Sequence, residues 1–137
     1  MVGGSSGGGR LVTALLLVSH MDRVAVAVRD LILELAGADV VVGAAGGKSG
    51  LGVDLASIES EIGRLVDRGA TQIVALGDMG SSMILLEEAA VGARVPIEVL
   101  DAPFLEGAMA SAMVLATGGN VVEARRAAEA AYAVRKR

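Results

Sequence analysis

The sequence contains no cysteine and no tryptophan, and phenylalanine, tyrosine and histidine each occur once among its 137 residues. Without cysteine, the chain has no disulfide bond, no thiolate chemistry and no cysteine-ligated metal site. One histidine is poor material for a metal site, so we predict none. With two aromatic side chains, Phe104 and Tyr132, and a formal net charge of −4, the chain lacks the stacking surface and basic balance typical of nucleic-acid-binding proteins.

Long hydrophobic runs are scarce as well. None approaches the ~20 apolar residues that a membrane-spanning helix needs, so we expect no membrane association. The apolar run 11–18 has the length of a secretory signal core, but the segment before it is rich in glycine and serine rather than basic residues, and no cleavage site follows. We therefore expect a buried strand there and a protein located in the cytoplasm.

The length and the apolar content favour one domain. Apolar residues make up 53% of the chain, and a chain of this length buries roughly two-thirds of its unfolded surface, which is enough for an independent core. Residues 1–10 begin with a glycine- and serine-rich stretch of flexible-linker composition. We predict that they form a leader and that residues 11–137 form the domain.

Strand-like and helix-like segments alternate along the domain. Apolar runs predict buried strands at 11–19, 39–45, 71–78 and 95–101, and Pro96 indicates an edge strand or a strand start. Two intervening segments carry apolar residues at helical spacing: Val24, Val28, Leu31, Ile32 and Leu35 in the first, and Leu55, Ile58, Ile62, Leu65 and Val66 in the second.

Three further helices complete the pattern. One is predicted to open at Ser81 or Ser82 and run through Ala90, one spans about 105–116, and one follows a capping box formed by Asn120 and Glu123. Strand–helix alternation with short loops predicts an α/β fold, a three-layer sandwich whose mainly parallel four-stranded sheet has helices on both faces.

Polar residues follow the predicted first and third strands, and ligands bind at the carboxyl ends of strands in such sheets. His20 ends the first strand, and the segment GDMGSS (77–82) ends the third. A neutral imidazole is a good nucleophile near pH 7, and Asp78 can hold one ring nitrogen so that the other is bare. Backbone amides and two hydroxyls at the following helix start would cradle a phosphate, with Gly80 allowing close approach.

Each feature also has a plainer explanation. A lone histidine at a strand-to-helix junction is often only a capping or surface residue, and Asp78 can serve turn and N-cap chemistry alone. The loop 46–52 contains Lys48 but lacks the spacing of a Walker loop. Asp54 is explained as a helix cap.

Four segments, taken together, resemble a known family: VSH (18–20), AAGGKSGLGVD (44–54), GDMGSS (77–82) and DAPFLEGAMAS (101–111). From residue 11 onward the chain resembles the mannose-type IIA domain of the phosphoenolpyruvate-dependent phosphotransferase system (PTS), and more narrowly the phosphoryl-donor subunit of bacterial dihydroxyacetone kinase. The resemblance implies that His20 is phosphorylated and that Asp78 orients it. The residues implied around the phosphoryl group are Ser19, Gly52, Val53, Gly80, Ser81 and Ser82.

Two positions depart from the family pattern. Val53 stands where the family usually has threonine, which removes one hydroxyl from the expected phosphoryl site, and Met21 stands where serine is frequent. Backbone amides can still serve there, so we interpret the change at Val53 as one of degree.

The resemblance also implies partners. The PTS phosphocarrier protein donates a phosphoryl group to His20, which passes it to ADP on the nucleotide-binding subunit of the kinase, and the ATP formed there phosphorylates dihydroxyacetone on a third subunit. A homodimer is implied, with no cofactor on this subunit and Mg-ADP or Mg-ATP on the partner subunit.

Three alternatives remain open at this stage. One is a IIA component of a mannose-type sugar permease, although that family usually precedes its histidine with Gly-Thr rather than Val-Ser. Another is a regulatory or dimerising domain whose His20 is never phosphorylated, which Val53 favours. The third is a flavodoxin-like cofactor binder, but the chain lacks the aromatic side chains that usually stack on a flavin.

Overall fold

A computed structural model describes residues 10–137, so the leader predicted at 1–10 lies outside the described residues except for its last position. The strands are β1 (Thr13–Ser19), β2 (Val42–Gly46), β3 (Gln72–Gly77) and β4 (Ile97–Val99). The α-helices are α1 (Asp22–Ala36), α2 (Leu55–Asp67), α3 (Gly80–Val91), α4 (Phe104–Ala116) and α5 (Val121–Ala130), and a 3-10 turn (Ala131–Ala133) follows them.

The four strands form one parallel sheet in the order β2-β1-β3-β4. At the centre, Leu17 of β1 pairs with Ala44 of β2 and with Leu76 of β3. The strand order reverses between β1 and β3, which opens a crevice beyond their carboxyl ends. The residues that follow these two strands therefore meet at one edge of the sheet.

Successive residues of β1 pack on opposite faces of the sheet, as the pleat of a strand requires. Leu15 and Leu17 join a core formed with α1, α4 and α5. Leu16 and Val18 join a second core formed with α2 and α3. The predicted α/β sandwich with helices on both faces is thus confirmed.

The strands lie where the apolar runs predicted them, although β2 ends one residue beyond its run, at Gly46. Each strand is shorter than its run because a strand extends only as far as its neighbour pairs with it. The fourth strand covers three residues of the predicted 95–101. Pro96 precedes it and accepts a hydrogen bond from the Ile73 N–H at 2.9 Å. β4 is an edge strand, as Pro96 indicated.

The predicted apolar face of α1 is partly wrong. Val28 and Ile32 are buried as expected, together with Ala25. The other three predicted residues remain exposed: Val24 at 41%, Leu31 at 41% and Leu35 at 62%. The prediction from hydrophobic periodicity counted only large apolar side chains. The helix instead packs against the core through the small side chain of Ala25, so its buried face is rotated toward Ala25.

The predicted face of α2 is confirmed, since Ile58, Ile62 and Leu65 are buried. Asp54 caps this helix by accepting the Ser57 N–H at 2.7 Å. Hydrogen bonds from the backbone and side chain of Ser57 hold the pKa of Asp54 below its ordinary value.

The capping box before α5 is confirmed as well. The Asn120 side chain accepts the Glu123 N–H, and the Glu123 side chain accepts the Asn120 N–H, each at 2.9 Å.

Within residues 10–137, no helix is both long and apolar enough to cross a membrane.

The predicted start of α3 is wrong. The helix begins at Gly80, with Met79 in the N-cap position and no side-chain cap. Ser81 and Ser82 therefore lie in the first turn rather than before it. The Ser81 hydroxyl contacts His20, and the Ser82 hydroxyl contacts Asp78.

Candidate functional site

His20 is held by Asp78 at the carboxyl edge of the sheet. The His20 backbone N–H donates to Asp78 Oδ2 at 3.0 Å, and His20 Nδ1 lies 2.9 Å from Asp78 Oδ1. The Asp78 N–H in turn donates to the Val18 carbonyl at 3.0 Å. One carboxylate thus fixes both the backbone and the ring of His20.

The contact with Asp78 determines which ring nitrogen is bare. A carboxylate only accepts hydrogen bonds, so Nδ1 carries the proton in the neutral ring and Nε2 keeps its lone pair. Nε2 lies 2.6 Å from Ser81 Oγ, whose hydroxyl donates to it. The His20 side chain is 21% exposed, so a reactant from solvent or from a partner reaches the ring.

Asp78 remains a carboxylate because hydrogen bonds outweigh its burial. Burial alone raises the pKa of Asp78, but bonds from the backbone and ring of His20 and from the hydroxyls of Ser82 and Ser19 hold the pKa below its ordinary value. Ser19 Oγ donates to Asp78 Oδ2 at 2.9 Å, and Ser82 Oγ donates to Asp78 Oδ1 at 2.8 Å.

The hydroxyl groups of Ser19 and Ser82 contact Asp78 and not Nε2 of His20. Both are buried, at 1% and 0% exposure. Ser19 also accepts the Met21 N–H at 3.1 Å, and Ser82 Oγ lies 3.3 Å from His20 Nδ1. Their hydroxyls are engaged by the carboxylate, so they position Asp78 and do not face the open side of the ring.

Gly80 and Ser81 lie on that open side. Ser81 is exposed, and a Cβ built on Gly80 would meet no other side chain or backbone within 4 Å. The chain itself therefore does not require a glycine at residue 80. The first amides of α3 have no side-chain cap, and unpaired amides at a helix start favour an anion.

Gly52 and Val53 contact other parts of the chain. The Gly52 N–H donates to the His20 carbonyl at 2.9 Å, so it supports the backbone of His20. Gly52 adopts a φ of 104°, which favours glycine. Val53 is partly buried and packs against the core on the α2 and α3 side. Where the family has a hydroxyl, this chain has an apolar core contact.

Gly47 supports His20, and Gly46 packs against the segment that follows His20. The Gly47 N–H donates to the His20 carbonyl at 3.2 Å, and the Gly47 carbonyl accepts the Asp22 N–H at 2.9 Å. A Cβ on Gly46 would lie 2.5 Å from the Asp22 nitrogen. Consecutive glycines at a strand end were the available signal, because they mark close backbone approach.

We expect Gly46→Ala to destabilise the fold by roughly 3 kcal/mol, since the new methyl group would overlap backbone atoms that cannot move aside. Gly63→Ala is the matched control. Gly63 lies inside α2, where a Cβ meets nothing within 4 Å, so this change is expected to stabilise by up to about 1 kcal/mol. Urea denaturation measures both variants. Equal stability of the two would contradict the close packing of Gly46 on the segment after His20.

The rest of the carboxyl edge contributes little that could bind a metal. Among residues 10–137, no three histidine, aspartate or glutamate side chains are grouped as a metal would require. Asp101, which follows β4, accepts a hydrogen bond from the Tyr132 hydroxyl at 2.7 Å. This contact raises the pKa of Tyr132.

Comparison with known proteins gives one family match. The EIIA-man family model, described as the PTS system fructose IIA component, matches residues 14–125. No curated protein matches the chain significantly.

Several solved structures share the fold. A crystal structure of a protein of unknown function is 23% identical, with a TM-score of 0.74, and the match covers 88% of this chain and 95% of that one. A crystal structure of a sigma-54 interaction domain protein from Enterococcus faecalis is 15% identical, with a TM-score of 0.61 and coverage of 90% and 92%. At these identities the two structures show the fold alone.

Proposed function

Because the chain belongs to the EIIA-man family of phosphotransferase-system IIA components, we propose that it carries a phosphoryl group on Nε2 of His20. The phosphocarrier protein of the system charges His20. The charged protein then passes the phosphoryl group to ADP on the nucleotide-binding subunit of dihydroxyacetone kinase. The resulting ATP phosphorylates dihydroxyacetone.

The observation that carries this proposal is that the two ring nitrogens of His20 have different partners. Nδ1 is held by Asp78 at 2.9 Å, while Nε2 faces the exposed Ser81. As the N–P bond to Nε2 forms and the carrier's N–P bond breaks, positive charge develops on the ring. The Asp78 carboxylate stabilises that charge, and the same hydrogen bond keeps the ring in the reactive tautomer.

The surroundings of Nε2 suit the arriving phosphoryl oxygens. Phosphoryl transfer depends on positioning and on charge stabilisation. The start of α3 supplies amides without a side-chain cap, and the Ser81 hydroxyl can turn from Nε2 to a phosphoryl oxygen. No cofactor is needed on this subunit, because Mg-ADP is held by the kinase. The functional form is a homodimer, in line with the family resemblance.

The kinase and a mannose-type sugar permease share the charging step and differ in the acceptor. The family match is equally compatible with both. The Val-Ser pair before His20 and the segment DAPFLEG at 101–107 favour the kinase. A regulatory protein without phosphorylation is the remaining alternative, and Val53 is the residue that favours it.

The test is to charge the purified wild-type chain with phosphoenolpyruvate, the first enzyme of the system and its phosphocarrier. Intact mass and peptide mapping are expected to find acid-labile phosphate on His20. The charged chain is then mixed either with the kinase subunits, ADP and dihydroxyacetone, or with a permease IIB component. Transfer to the kinase alone supports the proposal. Transfer to the IIB component alone establishes the permease role, and absence of charging by a carrier shown to be phosphorylated contradicts both.

A further inference from the structure

Ser81, His20 and Asp78 form an unbroken chain of hydrogen bonds. Ser81 Oγ lies 2.6 Å from His20 Nε2, and His20 Nδ1 lies 2.9 Å from Asp78 Oδ1. A hydroxyl next to an imidazole, whose other nitrogen is held by a carboxylate, is the arrangement that activates serine as a nucleophile. The proposed phosphoryl transfer uses His20 and Asp78 but needs no reactivity of Ser81.

The position of Ser81 in the fold adds to this geometry. Ser81 is the second residue of α3, three residues after Asp78. Nucleophilic serines in α/β hydrolases also sit at a strand-to-helix turn, where helix-start amides stabilise an oxyanion. Here the amides at the start of α3 have no side-chain cap. The Asp78 carboxylate is held by four hydrogen bonds, and its pKa lies below the ordinary value.

We propose that Ser81 is an activated nucleophile that reacts with small activated esters and fluorophosphonates. Ser81 Oγ bonds to the electrophilic carbon while its proton moves to His20 Nε2, and the imidazolium pairs with Asp78. The imidazolium returns the proton to the alkoxide or phenolate as its bond to the carbon breaks. Water then cleaves the acyl-Ser81 ester by the same two steps and releases the acid. With a fluorophosphonate, Ser81 Oγ bonds to phosphorus, the P–F bond breaks, and fluoride leaves together with the proton from the imidazolium.

The exposure of Ser81 determines which substrates can reach it. Ser81 is exposed and lies on an open surface beside Gly80, which carries no side chain. Compact electrophiles with a good leaving group, such as aryl acetates and short alkyl fluorophosphonates, therefore reach it. If the proposed phosphorylation of His20 holds, the charged form is unreactive, because Nε2 then carries the phosphoryl group and cannot accept the Ser81 proton.

The test is to label the full chain with a short alkyl fluorophosphonate and to locate the adduct by peptide mass mapping. We expect an adduct on Ser81 and none on Ser60, an exposed serine of α2 that serves as the internal control. His20→Ala is expected to lower the labelling of Ser81 by about 10³-fold, since the base is lost. Circular dichroism verifies that this variant is folded.

A second measurement separates Ser81 from the imidazole acting alone. Aryl acetate hydrolysis is expected to show an acyl-enzyme on Ser81 in the wild type and none in Ser81→Ala. The proposal is wrong if Ser81 is labelled no faster than Ser60, or equally in His20→Ala. It is also wrong if Ser81→Ala hydrolyses the ester as fast as the wild type. None of these measurements requires the phosphocarrier, so failure here leaves the proposed carrier role standing.

Discussion

His20→Gln is expected to abolish the acid-labile phosphate completely. Glutamine keeps a polar side chain of related length that can still donate a hydrogen bond to Asp78, but its amide nitrogen has no lone pair available for attack. The chain has no second histidine, so no other imidazole can substitute for His20. The measurement is intact mass after incubation with phosphoenolpyruvate, the first enzyme of the system and its phosphocarrier.

Lys48→Gln is the matched control for this experiment. It introduces the same residue on an exposed position of the loop 46–52, close in the fold to the backbone of His20. We expect Lys48→Gln to be charged like the wild type. Phosphate that persists on His20→Gln would place the acceptor on another residue. A regulatory protein whose histidine is never phosphorylated would keep its function in the His20→Gln variant.

The fold was largely predictable because its signals are local and repeated. Four apolar runs alternate with amphipathic segments, and each run overlaps one strand of the sheet. The candidate site followed from topology, since parallel strands bring their carboxyl ends to one edge. His20 and Asp78 were therefore expected to meet although 58 positions separate them.

The division of roles among the serines could not be predicted from the sequence. Ser81 and Ser82 are adjacent and chemically identical, yet only Ser81 reaches Nε2, whereas Ser82 is buried against Asp78. Successive residues of a helix point about 100° apart, so a shift of one residue in the helix start exchanges their roles. That start depends on the path of the turn after β3 and not on a capping side chain.

The hydrogen bonds from the loop after β2 to His20 could not be predicted from the sequence for a similar reason. Gly47 and Gly52 both donate to the His20 carbonyl, and these contacts exist only once β1 and β2 are paired. A glycine-rich composition indicates a loop, but it does not indicate which residues the loop contacts. The same limit applies to the rotation of α1 toward Ala25, because contacts with other elements decide which residues of an apolar stripe are buried.

Asp78→Asn is expected to slow the charging of His20 by about 10²- to 10⁴-fold. The amide is nearly the same size as the carboxylate, but it can donate a hydrogen bond to Nδ1 and so favour the tautomer whose proton lies on Nε2. The substitution also removes the negative charge that stabilises the ring as the N–P bond forms. Single-turnover charging, followed by intact mass over time, measures the loss.

The same variant tests the pH dependence of stability. The pKa of Asp78 is lowered in the folded protein, so on acidification the unfolded chain takes up a proton at a higher pH than the folded chain does. The stabilising contribution of Asp78 is therefore fully present above the ordinary carboxyl pKa and is lost as the pH falls through the lowered pKa. Without this carboxyl group, Asp78→Asn should lose less stability over that acid range.

Asp54→Asn is the control that separates the two roles of a carboxylate. The pKa of Asp54 is also lowered, by hydrogen bonds from Ser57, but Asp54 caps α2 and does not contact His20. Asparagine is as good an N-cap as aspartate, so this variant should be charged at the wild-type rate. Slow charging in Asp78→Asn alone assigns the effect to the hydrogen bond with Nδ1. Equal slowing in both variants would instead assign it to the loss of negative charge, and the orienting role of Asp78 would be wrong.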